Sequence, residues 1–262
     1  MQRIQIWQWP NLLALDAALI AVVWQAVFAK LFGMQCTLSS QIVLGLSVWL
    51  TYMADRLFDV AQREPDQLQS YRHRYAKQYA QRLWLVWGML LIANSAIAVF
   101  GLTSQQMLNG FVLLAFCLAY TALNQRFSGK FFPKELCVAL IFAAGVIVFL
   151  LPNAFLWQPS MAFALLCLIN CLIIGKKEHH VDAALRTRSL AGISATYIIP
   201  LEIACAVLIS LQDEAFRLPA LLTLAALIML HAIQKRLLVE HFRVLADSSL
   251  ILGPATYYWL SA

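Results

Sequence analysis

Residues 83–101, with the sequence LWLVWGMLLIANSAIAVFG, decide the fold class because no charged residue interrupts them. A helix of about 20 apolar residues is long enough to cross the hydrocarbon core of a bilayer. Comparable apolar runs recur along the chain and predict nine transmembrane helices. Their approximate ranges are 11–32, 38–54, 83–101, 107–124, 136–151, 160–175, 191–211, 218–233 and 246–261.

The composition favours the same class. Of the 262 residues, 62% are hydrophobic and only 12% are charged, whereas a soluble globular chain carries about 25% charged residues. The long apolar runs favour helices over a transmembrane β-barrel, whose strands alternate in polarity. We therefore expect an all-α, polytopic integral membrane protein.

The distribution of Lys and Arg predicts the orientation. With a cytosolic N-terminus, 17 of the 19 basic residues lie on the cytosolic side, and only Lys30 and Arg217 lie outside. Such a bias orients membrane proteins. We predict one transmembrane domain over residues 1–262, N-in and C-out, in the plasma membrane of a prokaryote. The net charge of +6 follows from this topology and requires no nucleic-acid partner.

Two pairs of acidic residues follow predicted helices. Asp55 and Asp59 follow the second helix, and Glu178 and Asp182 follow the sixth. The spacing i, i+4 places both carboxylates of a pair on one helical face, and an offset of 123 residues relates the two pairs. A duplicated four-helix unit followed by a ninth helix would bring all four carboxylates to one side of the membrane.

A purely structural interpretation of these pairs remains open. Asp59 and Arg63 are spaced i, i+4, as are Asp182 and Arg186. An acid four residues before a base stabilises a helix by about 0.2–0.5 kcal/mol. The recurrence of both pairs at one offset favours a functional site.

Four facing carboxylates suit Mg²⁺, which binds one or two carboxylates together with phosphate oxygens. Nearby bases would neutralise a diphosphate, and the apolar bundle would hold a hydrophobic tail, so the combination describes a prenyl diphosphate. Residues 71–75 could instead contact anionic lipid headgroups. The candidate substrate-binding bases are Arg72, Arg74, Arg126, Lys176 and Lys177.

At these residues the sequence resembles the UbiA superfamily of intramembrane prenyltransferases, which has nine transmembrane helices and two acidic motifs. Residues 51–59, TYMADRLFD, are similar to the first motif over its last two acids, and residues 178–182, EHHVD, are similar to the second. Residues 120–126 look like the end of the family's fourth helix, and residues 142–145 look like the start of its fifth. The resemblance implies a UbiA-like fold and a Mg²⁺-dependent prenyltransferase.

The first motif departs from the family pattern. Thr51 replaces the family's Asn and Tyr52 replaces its first Asp, so two oxygen ligands are lost or weakened. Thr51 keeps a hydroxyl on the face that carries Asp55 and Asp59, which makes it a candidate substrate-binding residue. The protein is then an active enzyme with an unusual site, a weak enzyme, or a relative that binds isoprenoid lipid without chemistry.

The sequence thus predicts transfer of a prenyl group from its diphosphate to a hydrophobic acceptor. The acceptor could be an aromatic acid, a quinone precursor, a porphyrin-like ring or a lipid alcohol. The alternative is a non-catalytic membrane protein for binding or transport, for which the acids within the spans would be essential. Those acids are Asp16, Glu202 and Asp247.

Overall fold

The computed structural model describes residues 5–61, 63, 68, 70–127, 133–151, 157–178 and 197–260. These residues form eleven α-helices and no β-strand, which confirms the all-α fold class. The helices are α1 Trp9–Leu12, α2 Leu15–Leu31, α3 Leu38–Ala61, α4 Tyr71–Gln78, α5 Ala80–Gly101, α6 Ser104–Phe127, α7 Lys134–Ile147, α8 Trp157–Lys177, α9 Ile198–Ser210, α10 Glu214–Ile233 and α11 Val239–Leu260.

Each of the nine predicted apolar runs overlaps one of these helices. Among the described residues, four helices are long and apolar enough to cross a membrane: α5, α6, α8 and α10. A fifth span results if the bent segments 6–12 and 15–31 cross together. The chain is therefore a multi-pass membrane protein, while nine spans and the N-in orientation stay predictions.

A sharp bend separates α1 from α2, with an angle of 77° between the two segments. Ala14 at the bend has a φ of 54°, a left-handed conformation that costs a non-glycine residue about 1–2 kcal/mol. Two side chains of α3 cover the backbone there. Arg56 donates to the carbonyl oxygens of Asn11 and Leu12, at 3.0 and 2.6 Å, and the Trp49 indole donates to Leu13 O at 2.7 Å.

The second helix extends beyond its predicted end. We expected a span over residues 38–54 followed by a polar segment, but α3 continues to Ala61. Lys77 of α4 donates to the carbonyl oxygen of Val60 at 2.9 Å, which satisfies a carbonyl at the end of α3. The polar segment itself contains α4, which Ser70 caps by accepting a hydrogen bond from the backbone N–H of His73.

The main core lies between α2, α8, α10 and α11. Trp24 and Phe28 of α2 are buried against Phe163 of α8 and Phe216 of α10, and the Trp24 and Phe163 ring centres are 4.4 Å apart. The indole N–H of Trp24 donates to the carbonyl oxygen of Leu250 at 2.8 Å. This carbonyl is accessible because Pro254, four residues later, has no N–H to donate to it.

The helices α5 and α6 lie at the edge of the bundle. In the apolar window of α6 no residue is buried, and in that of α5 only 11% are buried. In a bilayer, lipid tails cover such apolar side chains, so the exposed surface of these two helices is consistent with a membrane environment.

Candidate active site

A cavity of about 830 Å³ opens between eight helices of the bundle. Its wall includes acidic residues, basic residues and amides, together with the apolar side chains of Ile20, Val138, Phe142 and Leu250. Polar and apolar surfaces therefore meet in one space. Its charged residues are Asp16, Asp55, Arg56, Asp59, Arg63, Arg72, Arg126, Lys134, Glu135, Glu178, Arg243 and Asp247.

Asp55 and Asp59 line this cavity from one face of α3, as the i, i+4 spacing predicts. Asp55 is exposed to it and Asp59 is half-buried. Neither carboxylate accepts a hydrogen bond from another described residue, and Asp59 forms no ion pair with Arg63. Asp59 and Arg63 thus make no direct contact, although the charge of Arg63 acts on Asp59, and both carboxylates of α3 face the cavity.

The bases nearest this wall retain unused donors. The Nη1 of Arg63 and the Nε of Arg72 are buried, and neither finds a hydrogen-bond acceptor among the described residues. Buried guanidinium N–H groups without partners are costly. Both residues line the cavity, so an anionic group placed there would satisfy them.

The arginines near this wall also act on His73, which lies in α4 outside the predicted spans. Burial, and then the charges of Arg72, Arg56, Arg243 and Arg63, lower the pKa of His73 to about 2. The imidazole is therefore neutral at physiological pH, with its Nδ1 2.8 Å from the Ser70 hydroxyl. Burial is the main cause of this lowered pKa, and the contribution of four arginines indicates a region that is also suited to anions.

Glu178 occupies a different environment from Asp55 and Asp59. It is buried, and both of its oxygens contact guanidinium groups. Oε1 accepts from Arg243 of α11, and Oε2 accepts from Arg72 of α4 at 3.4 Å. Arg243, itself 1% exposed, also donates to Glu240 at 2.9 Å. The metal-ligand role expected for Glu178 therefore competes with two arginines.

A second polar group lies on the cavity wall, formed by Asn11, Asp16, Asn170 and Asp247. The amide of Asn11 donates to Asp16 Oδ2 at 2.7 Å and to Asp247 Oδ2 at 3.1 Å. The amide of Asn170 donates to Asp247 Oδ1 at 3.1 Å. Asp16 and Asp247 are far apart in sequence, so no local pattern indicates that they meet.

The structure separates the predicted substrate-binding residues into two groups. Arg72 and Arg126 line the cavity, whereas Thr51, Arg74, Lys176 and Lys177 do not. Asp182 lies outside the described residues.

Each of the four predicted residues that do not line the cavity makes another contact. The Thr51 hydroxyl donates to Ser47 O at 2.9 Å, and Arg74 lies over the Tyr71 ring at 4.9 Å. Lys176 Nζ is 3.4 Å from His231 Nε2, and Lys177 donates to Gln234 O at 2.6 Å. Both lysines point towards α10 because the packing of α8 against α9 and α10 sets the rotation of its last turn.

Glu202 does not reach the cavity either. Its Oε1 is 2.8 Å from His231 Nδ1, so this buried acid of α9 is held by a histidine of α10. A buried hydrogen bond therefore explains this acid within a predicted span.

Several residues that line the cavity were not predicted from the sequence as site residues. Arg63, Lys134 and Arg243 line the cavity, as do Tyr120 and Asn124. Tyr120 and Asn124 lie in the stretch that resembles the end of the family's fourth helix, and this resemblance could have identified them. No sequence pattern indicates Arg243, because a base at the start of α11 resembles any basic residue of a cytosolic loop.

The donor set limits the kind of metal site that is possible. Among the described residues, no three His, Cys, Asp or Glu side chains are arranged to hold a metal ion. Asp55 and Asp59 offer two open carboxylates on one face. Mg²⁺ is commonly held by one or two carboxylates plus substrate phosphates, so this pair fits Mg²⁺ bound together with a diphosphate.

Comparison with known proteins supports the fold. No model of a known protein family matches the sequence, and no curated protein does. Among solved structures, the apo structure of a UbiA homolog from Aeropyrum pernix K1 is similar with a TM-score of 0.65 and 15% sequence identity. The match covers 93% of this chain and 98% of that one. The chain therefore has a UbiA-like fold, which confirms the fold expected from the resemblance.

Proposed function

We propose that the protein is a divergent UbiA-like prenyltransferase, which moves an isoprenoid chain from its diphosphate to a hydrophobic acceptor within the membrane. One observation carries the proposal: the open carboxylates of Asp55 and Asp59 share a cavity wall with unsatisfied guanidinium N–H groups, the Nη1 of Arg63 and the Nε of Arg72. This arrangement supplies cation ligands and anion donors side by side, as a metal-bound diphosphate requires.

The roles of the residues follow from their positions. Arg63, Arg72 and Arg126 would bind phosphate oxygens, and Asp55 and Asp59 would hold Mg²⁺. When bound, Mg²⁺ would neutralise the charge that develops on the leaving diphosphate. The apolar wall around Phe142 would hold the hydrocarbon chain and exclude water from the allylic cation.

The reaction breaks the bond between the first prenyl carbon and the diphosphate oxygen, and the electron pair leaves with pyrophosphate. The acceptor supplies the electron pair of the new bond and loses a proton. Glu178 would act through Arg72 and Arg243, which it orients. In this proposal it is a positioning residue and not a metal ligand.

The test is release of pyrophosphate by the purified protein, given prenyl diphosphates of several chain lengths and a panel of hydrophobic acceptors. The proposal expects release that requires both substrates and is lost when EDTA removes divalent cations. A matched pair of variants compares Asp55→Asn with Asp213→Asn, an exposed acid outside the cavity. Diphosphate binding without turnover under any condition would instead favour the non-catalytic alternative.

A further inference from the structure

The polar group formed by Asn11, Asp16, Asn170 and Asp247 is not used by the proposed diphosphate site. Its members come from α1, α2, α8 and α11, and all four line the cavity. Neither Asp16 nor Asp247 forms an ion pair with a described base. Arg72 and Arg243 are the bases whose charges act most on Asp247, and both are bonded to Glu178.

The hydrogen bonds within the group leave mainly acceptors unused. Asp16 Oδ1 accepts from the backbone N–H of Ala17 at 2.9 Å, and the other three carboxylate oxygens accept one amide bond each. Every carboxylate oxygen can accept a further bond. The Asn11 amide donates both of its N–H groups to carboxylates, whereas the Asn170 amide donates one of its two.

Asn170 supplies a second, independent observation. Its side chain is 6% exposed and lines the cavity, and its Oδ1 finds no donor among the described residues. Buried amide oxygens are normally hydrogen-bonded, so a donor placed in the cavity would satisfy Asn170 Oδ1. The donor would have to approach from the cavity, where Asp247 offers acceptors beside it.

We infer that Asp16, Asn170 and Asp247 form the subsite for the polar end of the acceptor, and that they select an uncharged hydroxyl group. This inference rests on the proposed function, because it assigns the second substrate of the same cavity. A hydroxyl donates to the carboxylates or to Asn170 Oδ1, whereas a carboxylate ligand adds negative charge beside Asp16 and Asp247 and brings no donor.

The surroundings fit a hydrophobic molecule with one such group. Ile20, Tyr52 and Leu250 line the same cavity. They would contact the apolar body of the acceptor while its hydroxyl is bound. Of the acceptors that the sequence left open, a phenolic quinone precursor or a lipid alcohol matches this subsite. An aromatic acid placed with its carboxylate on these residues does not.

The test uses two probes of matched size, 4-nonylphenol and 4-nonylbenzoate, with the full-length protein in nanodiscs. Binding is measured by equilibrium competition, and signal from empty nanodiscs is subtracted. For the wild type we expect the phenol to bind at least tenfold more tightly than the benzoate. Equal affinities, or tighter binding of the benzoate, would overturn the inference.

Three variants test which residues cause the preference for the phenol over the benzoate. The double change Asp16→Asn with Asp247→Asn should weaken the phenol and strengthen the benzoate, which reduces the ratio to below threefold. Asn170→Ala removes the free oxygen without changing charge, so it should weaken the phenol alone. Glu202→Gln is the control, because this buried acid lies away from the cavity and should leave the ratio unchanged.

The outcomes separate this inference from the proposed function. If the double variant does not fold, Asn170→Ala and the wild-type ratio decide alone. A selective wild type that never releases pyrophosphate would retain the subsite and reject the transferase. A transferase whose ratio is unchanged in both the double variant and Asn170→Ala would reject the subsite. Displacement of the phenol by Mg²⁺ alone would also overturn it, because the group would then be a cation site.

Discussion

Arg243 of α11 is paired with Glu178 at the end of α8, and the side chains of the two residues are 1% and 6% exposed. A buried guanidinium requires a carboxylate in contact, because burial of an unpaired charge is strongly unfavourable. Glu178 also accepts from Arg72 of α4. One carboxylate thus connects three helices at the charged wall of the cavity.

This pair predicts the effect of removing Glu178. We expect Glu178→Ala to lower the free energy of unfolding by up to about 3–5 kcal/mol, because buried Arg243 would keep only the more exposed Glu240 as a carboxylate partner among the described residues. The measurement is thermal unfolding in detergent, with Glu214→Ala, an exposed acid at the start of α10, as the control. A variant with unchanged stability and a weaker Mg²⁺ response would return Glu178 to the metal-ligand role.

Substitution of the two carboxylates of α3 should abolish activity without lowering stability, which is the opposite of the effect expected for Glu178→Ala. Asp55→Asn and Asp59→Asn should each abolish pyrophosphate release while the melting temperature stays close to that of the wild type. No described base forms an ion pair with either residue, so little stabilising interaction is lost. Retention of most of the turnover in either variant would contradict the assigned role.

The family pattern suggests a role for Thr51 at the site, but the structure predicts that its substitution has no effect there. Because its hydroxyl bonds to Ser47 O and it does not line the cavity, Thr51→Val should leave the Mg²⁺ dependence of pyrophosphate release unchanged. A Mg²⁺ titration of both proteins tests this expectation. A shift of the Thr51→Val curve to higher Mg²⁺ would place the hydroxyl at the site after all.

The hydrogen bond from Trp24 to Leu250 O predicts a loss of stability. Trp24→Phe keeps an aromatic ring but leaves a buried carbonyl without a donor, so we expect a cost of about 1–3 kcal/mol. Trp87→Phe is the matched control. The Trp87 indole also donates to a carbonyl, that of Leu50 at 2.8 Å, but Leu50 lies inside α3, where Ala54 supplies the helical N–H. Equal losses in both variants would contradict this explanation.

A close approach between α10 and α11 predicts that Gly253 cannot be enlarged. A Cβ atom at Gly253 would lie 2.5 Å from Pro219 O and 2.9 Å from Thr223 N, whereas one at Gly88 would meet nothing within 4 Å. Gly253→Ala should therefore cost about 1–3 kcal/mol through overpacking. Gly88→Ala in α5 should be neutral or slightly stabilising. Thermal unfolding of both variants provides the comparison.

The sequence by itself determined the local features. Apolar runs predicted where helices form, because a helix in lipid satisfies its own backbone hydrogen bonds and needs only an apolar surface. The i, i+4 spacing placed Asp55 and Asp59 on one face, because helical periodicity is a property of neighbouring residues alone. The acidic motifs carried the resemblance whose fold the structural comparison confirmed.

Only the tertiary structure decided which distant groups meet. The rotation of α8 against α9 and α10 turned Lys176 and Lys177 away from the cavity and left Glu178 facing Arg243. The bend at Ala14 brought Asn11 to Asp247, although 236 residues separate them in the chain. Helix rotation and bending depend on packing between helices, and the spacing of residues within one helix does not encode the position of its neighbours.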